Sequence, residues 1–276
     1  MPVIAVVNRK GGSGKSTLAA HLAVWCARQG HAVMLGDVDR QQSSRGWLRR
    51  RDPQLPSIAP WAIDQTNMLR VPAGITHAVL DTAGGLHGFE LARLVMAADA
   101  ILMPVCHSVF DRDSAAACLE ELMTLPKVAD GRCKLASVGM RVDGRTRAAE
   151  VLQAWAAEQD IPMVGTLRET QLYVKCLERG LTLFDLPASQ VATDMAQWQG
   201  ILDWLEPIVA PAAPAPAKAP HRLAPTLAAA ARKEVRPGPG MGVSVLDSRR
   251  FGDVKAPVDG GTDPVPRQPP TVLRRA

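Results

Sequence analysis

An apolar pentad, Val3-Ile4-Ala5-Val6-Val7, runs into Asn8-Arg9-Lys10-Gly11-Gly12-Ser13-Gly14-Lys15-Ser16-Thr17, and Leu18 to Arg28 follows with apolar residues at helical spacing. Strand, glycine-rich turn and helix in that order are what a phosphate-binding loop requires. Backbone N–H groups of the turn and the positive end of the helix dipole converge there on an anion. Glycines permit the close approach and the conformations that a Cβ forbids. In such a loop Lys15 reaches the β- and γ-phosphates, and the Ser16 hydroxyl completes a Mg²⁺ shell. The competing reading is a tight turn that merely favours glycine. Three glycines framed by two lysines and followed by Ser-Thr argue against it.

The rest of the chain supplies what such a loop needs. Ala32 to Leu35 reads as a strand closing on Gly36-Asp37-Val38-Asp39, and His77 to Asp81 as an apolar strand ending in an aspartate. Carboxylates at the carboxyl ends of parallel strands lie in the crevice where such sheets bind ligands. Further strands are expected over 58–63, 99–105, 135–142 and 161–164, with helices over 67–71, 86–97, 115–125 and 146–159. Pro187 to Pro207 closes the domain as an amphipathic helix, with Met195, Trp198, Ile201, Leu202 and Leu205 on the core side. Strands alternating with helices give an α/β fold, a twisted, mostly parallel sheet of about seven strands with helices on both faces. Arg49-Arg50-Arg51 reads as a solvated helix end.

Composition divides the chain into 1–210 and 211–276. From Pro211 onward proline and alanine dominate, and such a chain cannot bury enough apolar surface to offset its ordering entropy. A disordered, proline-stiffened tail is expected. It holds eleven Lys/Arg against five Asp/Glu, a surplus of six that leaves residues 1–210 at −1 within the chain's +5. The basicity belongs to the tail, and an acidic partner, nucleic acid first, suits it. No run of eighteen apolar residues exists, which argues against a transmembrane helix. The first strand begins at the N-terminus, where no signal peptide is expected. The five cysteines show no C-x-x-C spacing and read as buried cytosolic thiols.

The loop departs from the ordinary phosphate-loop pattern. That pattern wants glycine where Arg9 stands, and Lys10 is a second lysine near the loop's start. Lys-Gly-Gly-Ser-Gly-Lys-Ser resembles the deviant Walker A box of the ParA/MinD ATPases, and the resemblance covers about residues 1–207. It implies that ATP binding builds a homodimer in which Lys10 reaches the partner's phosphates. It also implies that residues Lys10, Gly11, Gly12, Ser13, Gly14, Lys15, Ser16 and Thr17 hold ATP, and that Asp39 orients the attacking water. Ser16, Asp37 and Asp81, the last in a Walker B position, would hold Mg²⁺, while Thr82 to Gly85 forms a second switch. Lys10, Lys15 and Asp39 are thus the expected catalytic group. Arg40 replaces a proline common after the Asp-x-Asp. In Gly165 to Thr170, where relatives close the adenine pocket, Arg168 alone matches.

The activity this implies is ATP hydrolysis to ADP and phosphate, slow and stimulated by a partner protein, in a ParA-like switch that positions DNA or another cargo. Nonspecific DNA contact would fall to Arg168, Lys175 and Arg179 or to the basic tail. A solvated charged face is the alternative for Lys175 and Arg179, which are four residues apart. The expected location is the cytoplasm, with nucleoid association. A MinD-like membrane-associated ATPase would need an amphipathic C-terminal helix, and the tail ends without one. A cluster-carrying relative would need bridging cysteines, which Cys106 and Cys118 do not provide. A nucleotide switch without DNA contact remains open.

Overall fold

The computed structural model describes residues 1–38, 42–62 and 71–210. Seven strands, β1 (Val3–Val6), β2 (Val33–Asp37), β3 (Ile58–Ala62), β4 (His77–Asp81), β5 (Ala100–Val105), β6 (Lys134–Val142) and β7 (Met163–Arg168), form one sheet in the order β3-β2-β4-β1-β5-β6-β7. Every pairing in it is parallel. The helices are α1 (Lys15–Arg28), α2 (Ser43–Leu48), α3 (Gly88–Ala97), α4 (Val109–Met123), α5 (Pro126–Ala129), α6 (Ala148–Glu158), α7 (Gln171–Glu178) and α8 (Ala188–Val209).

Both faces of the sheet are covered, so its central strands need no polar alternation. On β1, Ile4 and Val6 join one core with α1, α7 and α8, whereas Val3 and Ala5, with Val7 just past the strand, join the other with α3, α4 and α6. The period of two is therefore read as two apolar sets. On α8, Trp198, Ile201 and Leu205 recur at helical spacing and are fully buried. Each contributes about 1.5–3 kcal/mol by leaving water. Met195 and Leu202 pack at the edge of that core.

The chain passes from β1 outwards to β2 and β3, returns to β4 beside β1, and only then builds the other half. Connections from β1 and β4 thus leave in opposite directions, which opens the crevice at their carboxyl ends. The loop that leads into α1 sits there.

Two expectations change. The strand expected over 161–164 lies at Met163–Arg168, so it runs on through Gly165 to Arg168. A Cβ at Gly165 would come within 2.7 Å of Ile201 Cγ1 and 3.1 Å of the Gln197 carbonyl, so this glycine serves the close approach of α8. Arg51 is not solvated. It pairs through both guanidinium nitrogens with Asp185, at 2.9 and 3.1 Å, and its side chain is 5% exposed. The helix expected over 67–71 lies outside the described residues apart from Val71, and the tail from Pro211 lies outside them entirely.

Candidate functional site

Gly14 makes the turn from β1 into α1. It is the N-cap in a left-handed conformation (φ 98°), and its carbonyl accepts the Leu18 amide at 3.0 Å. The left-handed conformation selects glycine, and a Cβ there would also displace the Met140 side-chain end, whose Cε lies 2.6 Å away. Gly12 is also left-handed (φ 75°). Lys15 is buried in the first turn, and its Nζ donates to the Lys10 carbonyl at 2.9 Å across the loop. Lys10 itself is exposed.

Asn8 fixes the loop's entry. Its Nδ2 donates to the Pro104 carbonyl at 2.7 Å, and its Oδ1 accepts the Lys10 amide at 2.8 Å. This buried side chain thereby ties the loop to the end of β5. The turn after β4 closes the other side. Thr82 Oγ1 donates to the Val6 carbonyl at 2.7 Å, the Gly85 amide donates to the Arg9 carbonyl at 2.7 Å, and Gly84 lies against the backbone of Gly11. Thr82 to Gly85, expected as a second switch, is in direct contact with the phosphate loop.

Asp37 and Asp81 are opposite each other in the β2–β4 register. Asp37 Oδ2 accepts the Arg45 amide at 3.0 Å, and Asp81 Oδ2 accepts the Ser44 hydroxyl at 2.6 Å. The N-terminal end of α2 therefore closes on both carboxylates. Burial pushes the Asp81 carboxyl up to about 6. Ser44 and then Ser16 oppose that rise through hydrogen bonds, the Asp37 charge adds to it, and Lys15 reduces it. Ser16 lies near enough to act on Asp81, yet Asp81 Oδ1 keeps no hydrogen-bond partner among the described residues. Ser13 Oγ, on the loop, is likewise buried without one.

These two orphaned oxygens fit what the site would hold. A buried polar group left unpaired costs about 1–3 kcal/mol. An anion on the loop would satisfy Ser13, and a cation beside β4 would satisfy Asp81. Among the described residues no group of three or more His, Cys, Asp and Glu could hold a metal by itself. A Mg²⁺ here would rest on Ser16, Asp37 and Asp81 together with water and phosphate oxygens, the usual sharing for that ion.

Asp39 lies outside the described residues. Arg168 is at the end of β7, where its guanidinium clamps the buried Asp194 of α8 at 2.7 and 2.9 Å and its amide donates to Gln197 Oε1 at 2.9 Å. Part of it remains exposed, its side chain 41% accessible. Lys175 and Arg179 are exposed at α7 and its C-terminus. Arg49 and Arg50 are exposed beside them, with Arg50 Nη2 within 3.4 Å of the Leu177 carbonyl. All five cysteines are free and buried. No helix among the described residues is long and apolar enough to cross a membrane.

Ser44, Asn8 and Arg45 are the site residues that sequence reasoning missed. Ser44 stood only in a short polar run, and its partner is 37 positions away.

Residues 4–184 match the CobQ/CobB/MinD/ParA nucleotide binding domain. The chain is 26% identical over 192 residues to the maintenance of carboxysome distribution protein A of Halothiobacillus neapolitanus, covering 67% of this chain and 88% of that one. It is 25% identical over 185 residues to the chromosome-partitioning ATPase Soj of Thermus thermophilus, covering 55% and 74%. The solved septum site-determining protein MinD of Pyrococcus horikoshii, complexed with Mg-ADP, shares the fold. Its TM-score is 0.54 at 15% identity, over 76% of this chain and 98% of that one.

Proposed function

Because the chain belongs to the CobQ/CobB/MinD/ParA nucleotide-binding family, we propose that it is a ParA-like ATPase: a switch that dimerises on MgATP, hydrolyses it slowly under the stimulus of a partner protein, and positions DNA or another cellular cargo. The observation that carries this reading is the pair of buried oxygens without partners among the described residues, Ser13 Oγ on the loop and Asp81 Oδ1 beside it, which a triphosphate and its cation would satisfy.

Residues 11–17 would cradle the phosphates through backbone N–H groups, and Lys15 would neutralise the β- and γ-oxygens. Magnesium, held by Ser16, Asp37 and Asp81, would screen charge between those phosphates. Asp39 would orient the attacking water. Lys10 is exposed at the start of the loop, which suits a role across a dimer. The carboxysome-distribution and chromosome-partitioning relatives support a positioning role. The cytoplasm, with association to the nucleoid, is the location that goes with it.

Duplex DNA contact is assigned to Lys175 and Arg179, or to the tail. Binding should be measured for the full chain and for residues 1–210, each with and without ATP, at two salt concentrations. ATP-dependent, salt-sensitive binding that survives truncation supports the reading with the surface on residues 1–210. Binding lost with the tail moves the contact there. Absence of binding in both chains removes DNA from the proposal and leaves a nucleotide switch acting on a protein partner.

A further inference from the structure

The loop's departure from the usual pattern, Arg9, is bound into a closed ring of contacts. Its carbonyl accepts the Gly85 amide at 2.7 Å. Its Nη2 donates to Glu121 Oε2 on α4. The other oxygen, Oε1, accepts the amide of Gly88, the first residue of α3, at 2.5 Å. Gly85 and Gly88 are three residues apart, so both ends of the turn that leaves Asp81 are tied to one residue of the phosphate loop. One tie is direct and the other runs through Glu121.

The ring's partners come from three separate parts of the chain, with Arg9 and Glu121 112 positions apart. Charge-assisted hydrogen bonds are stronger and more directional than neutral ones, and a carboxylate with both oxygens engaged is held in orientation. Arg9 and Glu121 are also half-buried, with side chains 31% and 22% exposed, so solvent screens the pair less than it would a free surface pair. At the same time Arg9 Nε is buried without a hydrogen-bond partner among the described residues. That uncompensated donor works against the ring and limits its hold. A contact set that is specific in geometry yet limited in strength is what a two-state element requires.

We propose that Glu121 is a positioning residue that couples the phosphate loop to the turn Thr82–Gly88, so that the turn's position depends on the third phosphate. Glu121 has its two carboxylate oxygens taken up by Arg9 and Gly88. It acts through Arg9 and Gly88, and the assignment rests on the reading of this loop as an ATP site.

Amide hydrogen exchange at Gly85 and Gly88 should be compared in nucleotide-free wild type, Glu121→Ala and Glu121→Gln. Affinities for a non-hydrolysable ATP analogue and for ADP should be measured alongside. Exchange at both glycines is expected to speed up in Glu121→Ala. The ratio of analogue to ADP affinity should fall about tenfold, within the range of ordinary coupling energies, with ADP affinity nearly unchanged. Glu121→Gln keeps one acceptor and should fall in between. The charge-swapped pair Arg9→Glu with Glu121→Arg should recover part of the lost preference. Equal losses for both nucleotides, or unchanged exchange in a variant that melts like wild type, would overturn the coupling. A wild type that binds neither nucleotide would overturn the site reading itself, and the coupling with it.

Discussion

The Ser44 hydroxyl donates to Asp81 Oδ2 at 2.6 Å, so the first residues of α2 are fastened to the carboxylate at the end of β4. Asp37 holds the next amide, Arg45, from β2. α2 is thus attached at its N-terminal end to both aspartates assigned to the cation. At its far end Trp47 Nε1 donates to the Leu181 carbonyl at 3.2 Å, and Arg51 clamps Asp185. α2 spans from Asp37 and Asp81 at one end to the α7–α8 region at the other.

Replacing Ser44 tests the first attachment. Ser44→Ala removes a hydrogen bond to a buried carboxylate whose other oxygen, Oδ1, already has no partner among the described residues. Urea unfolding at pH 7.5 without metal should show a loss of about 2 kcal/mol. Because the Ser44 bond also holds Asp81 down, the variant's Asp81 should titrate higher than the wild type's, which NMR of the carboxyl can follow.

The nucleotide roles separate by variant. Lys15→Ala should abolish ATP binding in a fluorescent-nucleotide titration; retained affinity would remove the loop assignment. Lys10→Ala should keep nucleotide binding and lose ATP-dependent dimerisation, seen by light scattering. Asp39→Ala should bind ATP and accumulate as a dimer without turnover. Wild-type turnover in that variant would reduce Asp39 to a turn residue.

What the sequence made legible was local. The loop, Asp37 and Asp81 could be read because each is a few residues whose order and neighbours carry the meaning, and β4 falls at His77–Asp81 as expected. The contacts that orient them could not be read. Asn8 meets Pro104 and Arg51 meets Asp185 across 96 and 134 positions, and no pattern in one stretch reports on the other. Gly165 misled for a different reason. It falls one residue past the strand expected over 161–164, yet β7 runs through it and its missing Cβ makes room for Ile201. Arg168 was expected at adenine, and Asp194, which clamps it, lies on α8 where the sequence suggested only a core face.

Gly180 tests how α2 meets α7. It is left-handed (φ 72°), and a Cβ there would stand 2.4 Å from the carbonyl carbon and oxygen of Arg50. Backbone atoms cannot move aside as a side-chain end can. Gly74 has a similar φ of 89° with nothing within 4 Å of its Cβ position. Gly74→Ala should therefore cost only the conformational term, about 1 kcal/mol. Gly180→Ala should cost about 3 kcal/mol or more, because the close contact adds to it. Equal losses by denaturant unfolding would mean that α2 does not depend on that approach.

Acid should act on this protein through two groups of opposite sign. His21 is fully buried in α1. The Leu183 amide donates to its Nε2 at 3.2 Å, so Nδ1 carries the proton and donates to the Thr17 carbonyl at 2.7 Å. Burial lowers its pKa to about 4, against smaller raising effects of the Thr17 bond and Asp185. A base whose pKa is lowered by folding stabilises fully above its unfolded value near 6.5 and loses that contribution as pH falls towards 4. Over that window the loss is about 3 kcal/mol. Asp81 runs the other way. Its pKa is raised from 3.8 to about 6, so the ionised carboxylate costs the metal-free fold about 3 kcal/mol above pH 6. That cost disappears as pH falls to about 4. Asp81→Asn should therefore be more stable than wild type at pH 7.5 in the presence of a chelator, with the gap closing near pH 4. His21→Phe keeps a ring against Trp198, which stacks on His21 at 5.2 Å, and gives up both hydrogen bonds. It should start less stable than wild type at pH 7.5 and converge with it in acid. Denaturant unfolding from pH 4 to 7.5 reads both gaps. Gaps that stay constant with pH would show that neither group titrates differently in the folded chain.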